Sequence, residues 1–265
     1  MIAQSERLSL PAKEPLNRTS LIITVDGSST AGKRLMAERI AERYNLTVLN
    51  TGTAIRAMAL LAIEQKLVKT DDTNVTHVPV DFADRVVELY DTMPQKLTIA
   101  KPLSGGRMAR IMVGERNMGG ELFAFRQQKA IENVSAIIAS SPVIRQRLYT
   151  LWRDAAKELG GVVIVGRRTG VDLFPNAPIK LYLFASPEAS ASYRVVHDPT
   201  ATLHEISEER YIRERDGRDR ENGLLDRPSD AMVFDTSAYI LQGSQGLANL
   251  EKRITGTIDS KYIIR

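Results

Sequence analysis

The sequence predicts an α/β fold in which helices cover both faces of a parallel sheet. Five short runs rich in β-branched and other apolar residues alternate with stretches of helical periodicity. A loop of small residues joins the first run directly to the first helical stretch. Because parallel strands need crossover connections, usually helices, we expect the five runs to lie in one sheet. The predicted strands cover residues 21–25, 47–49, 162–165, 179–184 and 232–234.

Helices are predicted where apolar residues recur three and four positions apart. Pro142 suits the first turn of its helix, where the N–H that proline lacks would be unpaired in any case. Ser186 and Pro187 predict another helix start, with the serine as N-cap and the proline at the first helical position. The other predicted helices cover about residues 35–44, 53–65, 82–90, 121–139, 142–159 and 247–254.

Residues 67–120 have a different pattern of apolar and turn residues from the segments around them. Two short apolar runs, 96–100 and 110–113, flank a Ser-Gly-Gly turn and predict a pair of strands. We therefore expect this segment to be a mobile lobe inserted into the α/β core. The predicted division is a flexible leader at 1–20, a core of 21–66 and 121–254, the inserted lobe at 67–120, and a tail at 255–265.

Composition excludes several classes of function. Lys and Arg total 36 against 32 acidic residues, and the resulting net charge of +4 is not gathered into runs that would indicate nucleic-acid binding. The absence of cysteine excludes disulfides, thiolate nucleophiles and cysteine-based zinc sites. No apolar run approaches the roughly 20 residues needed to span a bilayer, and the first residues lack the apolar core of a secretory signal. The sequence therefore predicts a cytoplasmic protein without membrane or nucleic-acid partners.

A phosphate-binding loop is predicted directly after the first strand. The segment Gly27-Ser28-Ser29-Thr30-Ala31-Gly32-Lys33 matches the GxxxxGK pattern. Glycines let the backbone curl so that successive N–H groups point at phosphate oxygens, and the helix that follows presents its positive end. The lysine supplies a charge to the β- and γ-phosphates.

The position after the lysine departs from the pattern. Arg34 stands where a Ser or Thr hydroxyl would help to hold Mg²⁺. Ser29 and Thr30 are hydroxyls within the loop, but neither occupies the usual place. The predicted donor-nucleotide site consists of Gly27, Ser28, Ser29, Thr30, Ala31, Gly32, Lys33 and Arg34.

Further motifs follow in a characteristic order. They are Val-Asp-Gly at 25–27, NTGTAIR at 50–56, Val-Ser at 134–135 with SPVIR at 141–145, GRRTG at 166–170 with LFPNA at 173–177, ASPE at 185–188, RDGRDR at 215–220 and PSDAMVFDT at 228–236. On these motifs the chain, from about residue 21 to 254, resembles the bacterial-type cytidylate kinases. These are P-loop nucleoside monophosphate kinases, which transfer the γ-phosphoryl group of ATP to CMP or dCMP.

The resemblance implies a fold, ligands and residue roles. The fold would be the three-layer P-loop NTPase fold with a five-stranded parallel sheet, a nucleoside-monophosphate-binding lobe at 67–120 and a short lid at about 187–222. ATP would be the phosphoryl donor, Mg²⁺ would accompany it, CMP or dCMP would be the acceptor, and the protein would act as a monomer. The residues implied to act in catalysis are Lys33, Arg167 and Arg215.

The acceptor site that the resemblance implies is rich in arginine, which suits bidentate phosphate contacts. Arg56, Arg167 and Arg215 would hold the acceptor's α-phosphate. Thr51 would line the pocket, and Asp219 would accept hydrogen bonds from the ribose hydroxyls. The residues placed at the cytosine base are Ser135, Arg145 and Arg168, and additional lid candidates are Arg194 and Arg220.

Several departures from the family pattern leave two functions open. Val165 replaces an acid that would help to order Mg²⁺, and Arg168 replaces an aspartate that would contact cytosine. Phosphate-holding residues mostly survive, whereas metal-ordering residues do not. One hypothesis is an ATP:CMP phosphotransferase with relaxed base preference or reduced activity. The other is a nucleotide-binding sensor or scaffold that has lost catalysis. Further departures are Asn50, Ile55, Ser190, Tyr193 and Asn222.

Overall fold

The computed structural model describes residues 13–71, 74–124, 128–197 and 204–265. The strands are β1 (Glu14–Leu16), β2 (Ile22–Gly27), β3 (Thr47–Asn50), β4 (Lys69–Thr70), β5 (Val75–His77), β6 (Leu97–Ala100), β7 (Arg110–Val113), β8 (Arg116–Asn117), β9 (Val162–Val165), β10 (Ile179–Phe184), β11 (Met232–Asp235) and β12 (Tyr262–Ile264). The helices are α1 (Lys33–Tyr44), α2 (Thr51–Glu64), α3 (Phe82–Thr92), α4 (Met118–Ala124), α5 (Gln128–Ser140), α6 (Pro142–Leu159), α7 (Pro187–His197), α8 (Glu205–Glu221), α9 (Ser237–Leu241) and α10 (Gly243–Lys261).

The central sheet confirms the predicted α/β fold. Its five strands are all parallel, in the order β11-β10-β2-β9-β3. They are the five apolar runs of the sequence: β9 and β10 have the predicted bounds, and β2, β3 and β11 end one or two residues later than predicted. Since all the strands run the same way, their carboxyl ends and the loops that follow them meet at one edge of the sheet.

Each face of the sheet packs against its own layer of helices. Val163 and Val165 of β9 belong to a core shared with α1 and α10. Val162 and Ile164 belong to a second core shared with α2 and α6. This alternation follows from the two-residue period of a strand, and it makes the domain three layers thick.

The insert at 67–120 is a small lobe of mixed structure. It holds the β4–β5 hairpin, helix α3 and an antiparallel sheet in the order β6-β7-β8. Its apolar residues join the core that also contains α2 and α6. Backbone hydrogen bonds of 2.8 Å join Val48 of β3 to Arg107 and Ala109, so the lobe also covers that edge of the central sheet.

Of the leader predicted at 1–20, residues 1–12 lie outside the described part of the chain, while residues 13–20 and the predicted tail at 255–265 are described. Residues 14–16 form β1, which pairs in parallel with β12 near the C-terminus. A 3-10 turn at 18–20 follows, and the Arg18 N–H donates to the Arg265 carbonyl at 2.7 Å. Helix α10 continues to Lys261 because its apolar face, including Ile258, stays buried. The two ends therefore stabilise each other, a relationship that local patterns could not indicate.

One predicted helix differs in detail, and one predicted helix start is confirmed. The predicted helix at 121–139 corresponds to α4 and α5, between which residues 125–127 lie outside the described part of the chain. Ser186 caps α7 as predicted, because its Oγ accepts from the Ala189 N–H at 3.2 Å. No helix within the described ranges is long and apolar enough to cross a membrane.

Candidate active site

A cavity of about 760 Å³ opens at the carboxyl edge of the central sheet. The loop after β2 and the start of α1 form one end, and α2 and α6 form the other. Residues at the end of β9 and from helices α7 and α8 complete its wall. The sequence-predicted site residues in this lining are Ser29, Thr30, Ala31, Gly32, Lys33, Arg34, Thr51, Arg56, Arg145, Arg167, Arg194 and Arg215.

The phosphate loop depends on glycine for its shape. Gly27 has φ +135°, and a Cβ there would overlap the carbonyl oxygen of Leu183 in β10. Gly32 has φ +76° and lets the chain turn into α1. The loop therefore curls tightly against the sheet and places its backbone along the cavity wall.

Lys33 lies under the loop among other cations. Its Nζ donates to the Ser28 carbonyl oxygen. Burial holds the pKa of Lys33 well below its usual range, and the positive charges of Arg167 and Arg215 lower it further. Three cationic side chains so close together create a strong local preference for an anion.

Asp26 supports the turn that presents Arg167. Its buried carboxylate accepts from the Thr169 N–H and Oγ–H at 2.8 and 2.9 Å, and from the Gly170 N–H at 2.8 Å. Burial raises the pKa of Asp26, and these hydrogen bonds act in the opposite direction. The contacts join β2 to the π-helical turn at 169–173, which begins two residues after Arg167.

Arg167 connects the phosphate loop to helix α8. Its guanidinium donates to the Gly27 carbonyl and to Ser29 Oγ, the latter at 2.9 Å. It also pairs with Asp219 at 2.8 Å and with Asp216 at 3.3 Å, both in α8. Asp219, which the sequence places at a ribose, thus lies at an arginine beside the loop.

The end of the cavity that the sequence predicts to bind an acceptor is organised around Glu132. Its carboxylate accepts from Arg56 Nη2 at 3.2 Å and from the Tyr211 hydroxyl at 3.2 Å. Arg215 donates in turn to Tyr211 Oη at 3.3 Å. Two arginines predicted to bind phosphate are therefore aimed at one region by a shared network. Sequence reasoning missed Glu132 and Tyr211, because neither lies in a recognisable motif.

Aromatic residues of α6 line the deeper wall. The rings of Tyr149 and Trp152 are 5.9 Å apart, and Trp152 is 2% exposed. Its Nε1–H has no hydrogen-bond partner within the described residues. Arg145 lines the same region, but its Nη1 is held by the Ala139 and Ser140 carbonyls at 2.7 and 3.1 Å.

Two residues that the sequence places at the base lie elsewhere in the described part of the chain. Arg168 pairs with Asp172, at 2.6 Å, and with Asp226, and it is absent from the cavity lining. Ser135 also lies outside the lining, and its buried Oγ has no partner among the described residues. Of the three residues predicted to contact cytosine, only Arg145 lines the cavity.

Helices α7 and α8, which the sequence predicts as a lid, carry the two further arginine candidates. Arg194 is buried, pairs with Glu208 at 2.8 Å and stacks on Tyr211, with its guanidinium 4.4 Å from the ring centre. Ser190 donates to the Ser29 carbonyl at 3.2 Å, which joins α7 to the phosphate loop. Arg220, the other lid candidate, is exposed and lies outside the cavity lining among the described residues.

The positions expected to order a metal carry no carboxylate. Val165 ends β9 with a buried apolar side chain, and its carbonyl oxygen accepts from Thr51 Oγ1 at 3.0 Å. Asn50 caps α2 by accepting from the Gly52 N–H at 3.0 Å. Across the described ranges, no group of three or more His, Cys, Asp or Glu side chains is placed to hold a metal ion.

The family model described as cytidylate kinase matches residues 23–243, well over half of the chain. The chain belongs to the cytidylate kinase family. A cytidylate kinase of Actinobacillus succinogenes is 30% identical over 241 residues, 88% of this chain and 99% of the relative. One from Escherichia coli is 30% identical over 226 residues, 83% and 90% of the two chains. One from Streptococcus suis is 28% identical over 228 residues, which cover 84% of this chain and 92% of the relative.

Membership of the cytidylate kinase family confirms the resemblance of the sequence motifs. Arg34, Val165 and Arg168 are therefore departures from the family motif within a member of the family. In the structure, Arg168 serves to join the turn after β9 to the end of α8, through Asp226 and the Gly223 carbonyl at 2.6 Å.

Proposed function

We propose that this protein transfers the γ-phosphoryl group of ATP to CMP or dCMP. The observation that carries the proposal is the approach of anion-binding groups to one cavity from two sides. The phosphate loop with Lys33 lies on one side and Arg56 on the other, and Arg215 is near Lys33 while its guanidinium also contacts Tyr211. Arg167 lies between them, in contact with the loop and with α8.

The donor end suits a nucleoside triphosphate. The loop N–H groups and the start of α1 would receive the β- and γ-phosphates, and Lys33 would neutralise charge there. The residues around the loop do not fit a metal held by the protein, since Arg34 and Val165 supply no oxygen ligand. Mg²⁺ would enter as part of the ATP substrate, held by phosphates and water.

The acceptor end suits a monophosphate. Its α-phosphate would bind between Arg56 and Arg215, whose guanidinium groups already share the Glu132–Tyr211 network. An oxygen of that phosphate attacks the γ-phosphorus, the bond to the β,γ-bridging oxygen breaks, and ADP leaves. Lys33, Arg167 and Arg215 would stabilise the charge on the transferring group.

Base recognition would be weaker than the family motif implies. Arg145 is the one predicted base contact in the cavity lining within the described residues. A site that lacks hydrogen-bond partners for the base edge discriminates poorly between bases. We therefore expect turnover of CMP and dCMP together with measurable turnover of UMP.

A coupled assay with ATP, Mg²⁺ and each monophosphate tests this function. The matched control is Lys33→Ala, which removes the loop cation. Turnover of at least one monophosphate, reduced about a hundredfold or more in the variant, is expected. No turnover above the variant with any acceptor would contradict the proposal.

A second candidate is a nucleotide-binding protein without turnover. The joint absence of a hydroxyl after Lys33 and an acid at Val165 favours it. This alternative predicts ATP binding that scarcely depends on Mg²⁺ and no ADP formation. Calorimetric titration of ATP with and without Mg²⁺, beside the assay, distinguishes the two.

A further inference from the structure

A carboxylate of the protein already occupies part of the phosphate loop. The Ser29 backbone N–H donates to both oxygens of Asp216, at 3.0 and 3.2 Å. Ser29 lies within the GxxxxGK segment, and Asp216 lies 187 residues further along, in α8. An N–H group of this loop is a group that a phosphate oxygen would use.

The surroundings of Asp216 resemble those of a bound anion. Arg167 Nη2 lies 3.3 Å from one carboxylate oxygen, and the Asp216 side chain is 13% exposed. Lys33 is also near, since the charge of Asp216 raises the lysine's pKa against the larger effect of burial. A backbone donor and two cations therefore surround one carboxylate, as they would surround a phosphate group.

We propose that Asp216 is an internal competitor for the phosphate loop, whose carboxylate must be displaced when a nucleoside triphosphate binds. This inference rests on the proposed function only in requiring that the loop receive phosphate. The carboxylate and a phosphate oxygen cannot both accept from the same N–H in the geometry observed. Asp216 thus lowers the affinity of the donor site.

Displacement of Asp216 would also couple nucleotide binding at the donor site to the position of side chains at the acceptor site. Asp216 is fixed to α8, and its neighbours on that helix are Arg215, which lines the cavity, and Asp219, which pairs with Arg167. A movement of α8 that withdraws Asp216 would reposition both. It would also remove one of the two carboxylates that now engage Arg167.

Competition makes a clear prediction for affinity. Asp216→Ala removes the competing anion, and the dissociation constants of ATP and of inorganic tripolyphosphate should fall about tenfold. Asp216→Asn keeps the side-chain shape and a neutral hydrogen-bond acceptor, so its dissociation constants should lie between those of the wild type and Asp216→Ala. Glu214→Gln is the matched control, since it removes one negative charge from an exposed position of the same helix, where Glu214 pairs with Arg210. Its affinities should match the wild type.

Calorimetry on the full chain gives the dissociation constants, and circular dichroism checks that each variant is folded. Amide hydrogen exchange gives an independent readout. The Ser29 N–H should exchange faster in Asp216→Ala than in the wild type without ligand, and at matching rates when ATP is bound.

The outcomes separate this inference from the proposed function. If ATP binds the wild type, Asp216→Asn and Asp216→Ala with equal affinity, or binds the Asp216 variants more weakly, internal competition is wrong while phosphoryl transfer still stands. Unchanged Ser29 exchange in ligand-free Asp216→Ala would also overturn it. If no form binds ATP or tripolyphosphate, the proposed function fails as well.

Discussion

Arg56 and Glu132 form an ion pair at the end of the cavity where we propose that the acceptor binds, with 3.2 Å between Nη2 and Oε1. The residues are 76 positions apart and lie on α2 and α5, which pack against each other. Both side chains are about a quarter exposed, at 24% and 22%. The pair therefore holds an arginine in place while leaving it open to a ligand.

Arg56→Ala should raise the KM for CMP about tenfold to a hundredfold, because a charge-assisted contact to phosphate is lost. The KM for ATP should change little, since Arg56 does not touch the phosphate loop among the contacts described. Arg147→Ala is the matched control, as it breaks an exposed ion pair with Asp91 on the outer side of α6. Steady-state kinetics with each substrate varied in turn measure the KM for CMP and the KM for ATP in each variant. Equal changes in the two KM values would argue against a role at the acceptor.

Gly27→Ala should destabilise the protein by more than about 3 kcal/mol, since a methyl group would overlap the backbone of β10 and the φ angle disfavours alanine. Gly217→Ala offers a contrast, because Gly217 lies inside α8 with open space around its Cα. That change should stabilise by about 0.5–1 kcal/mol through helix propensity. Urea denaturation measures both. A stable Gly27→Ala variant would show that the loop does not need its observed shape.

Trp152 is the protein's one tryptophan and lines the cavity, so its fluorescence should report ligands at the acceptor end. CMP should change the emission, and tripolyphosphate at the phosphate loop should change it much less. Trp152→Phe should lower the free energy of unfolding by less than about 1.5 kcal/mol more than the smaller side-chain volume accounts for. The reason is that the indole N–H has no hydrogen-bond partner to lose within the described residues. Trp152→Ala should cost about 3–5 kcal/mol. Emission that responds only to tripolyphosphate would place the acceptor elsewhere.

Arg168→Gln should make stability less dependent on pH in the acid range. The Arg168 guanidinium holds the pKa of Asp172 below its usual value. The resulting stabilisation is complete above the unfolded pKa of about 4 and is lost as pH falls through the lower, folded pKa. The difference in unfolding free energy between wild type and variant should therefore shrink from pH 6 toward about pH 2.

The control for that experiment is Arg210→Gln, which breaks an exposed pair with Glu214 and should give a difference that is small at every pH. Urea denaturation at a series of pH values measures both variants. A wild-type advantage that grows on acidification would mean that Arg168 does not stabilise the Asp172 carboxylate.

Local patterns predicted the central sheet because short runs of β-branched and other apolar residues are typical of buried strands. Residues 162–165 are apolar throughout and form a strand buried on both faces. The same reasoning failed at residues 14–16, whose pairing with 262–264 joins the two ends of the chain. A three-residue strand has no periodicity of its own, so only its partner reveals it.

The sequence by itself determined the phosphate loop, the five strands of the central sheet and the family to which the chain belongs. Those features depend on residues that are neighbours in the chain, such as Gly27 and Lys33. The tertiary structure decided which charged side chains pair with one another. It tied Arg168 to Asp226 instead of the cavity, joined Arg56 to Glu132, and placed Asp216 in the loop. Charged side chains are long and pair with whichever opposite charge the packing of distant helices brings near, and no local pattern encodes that choice.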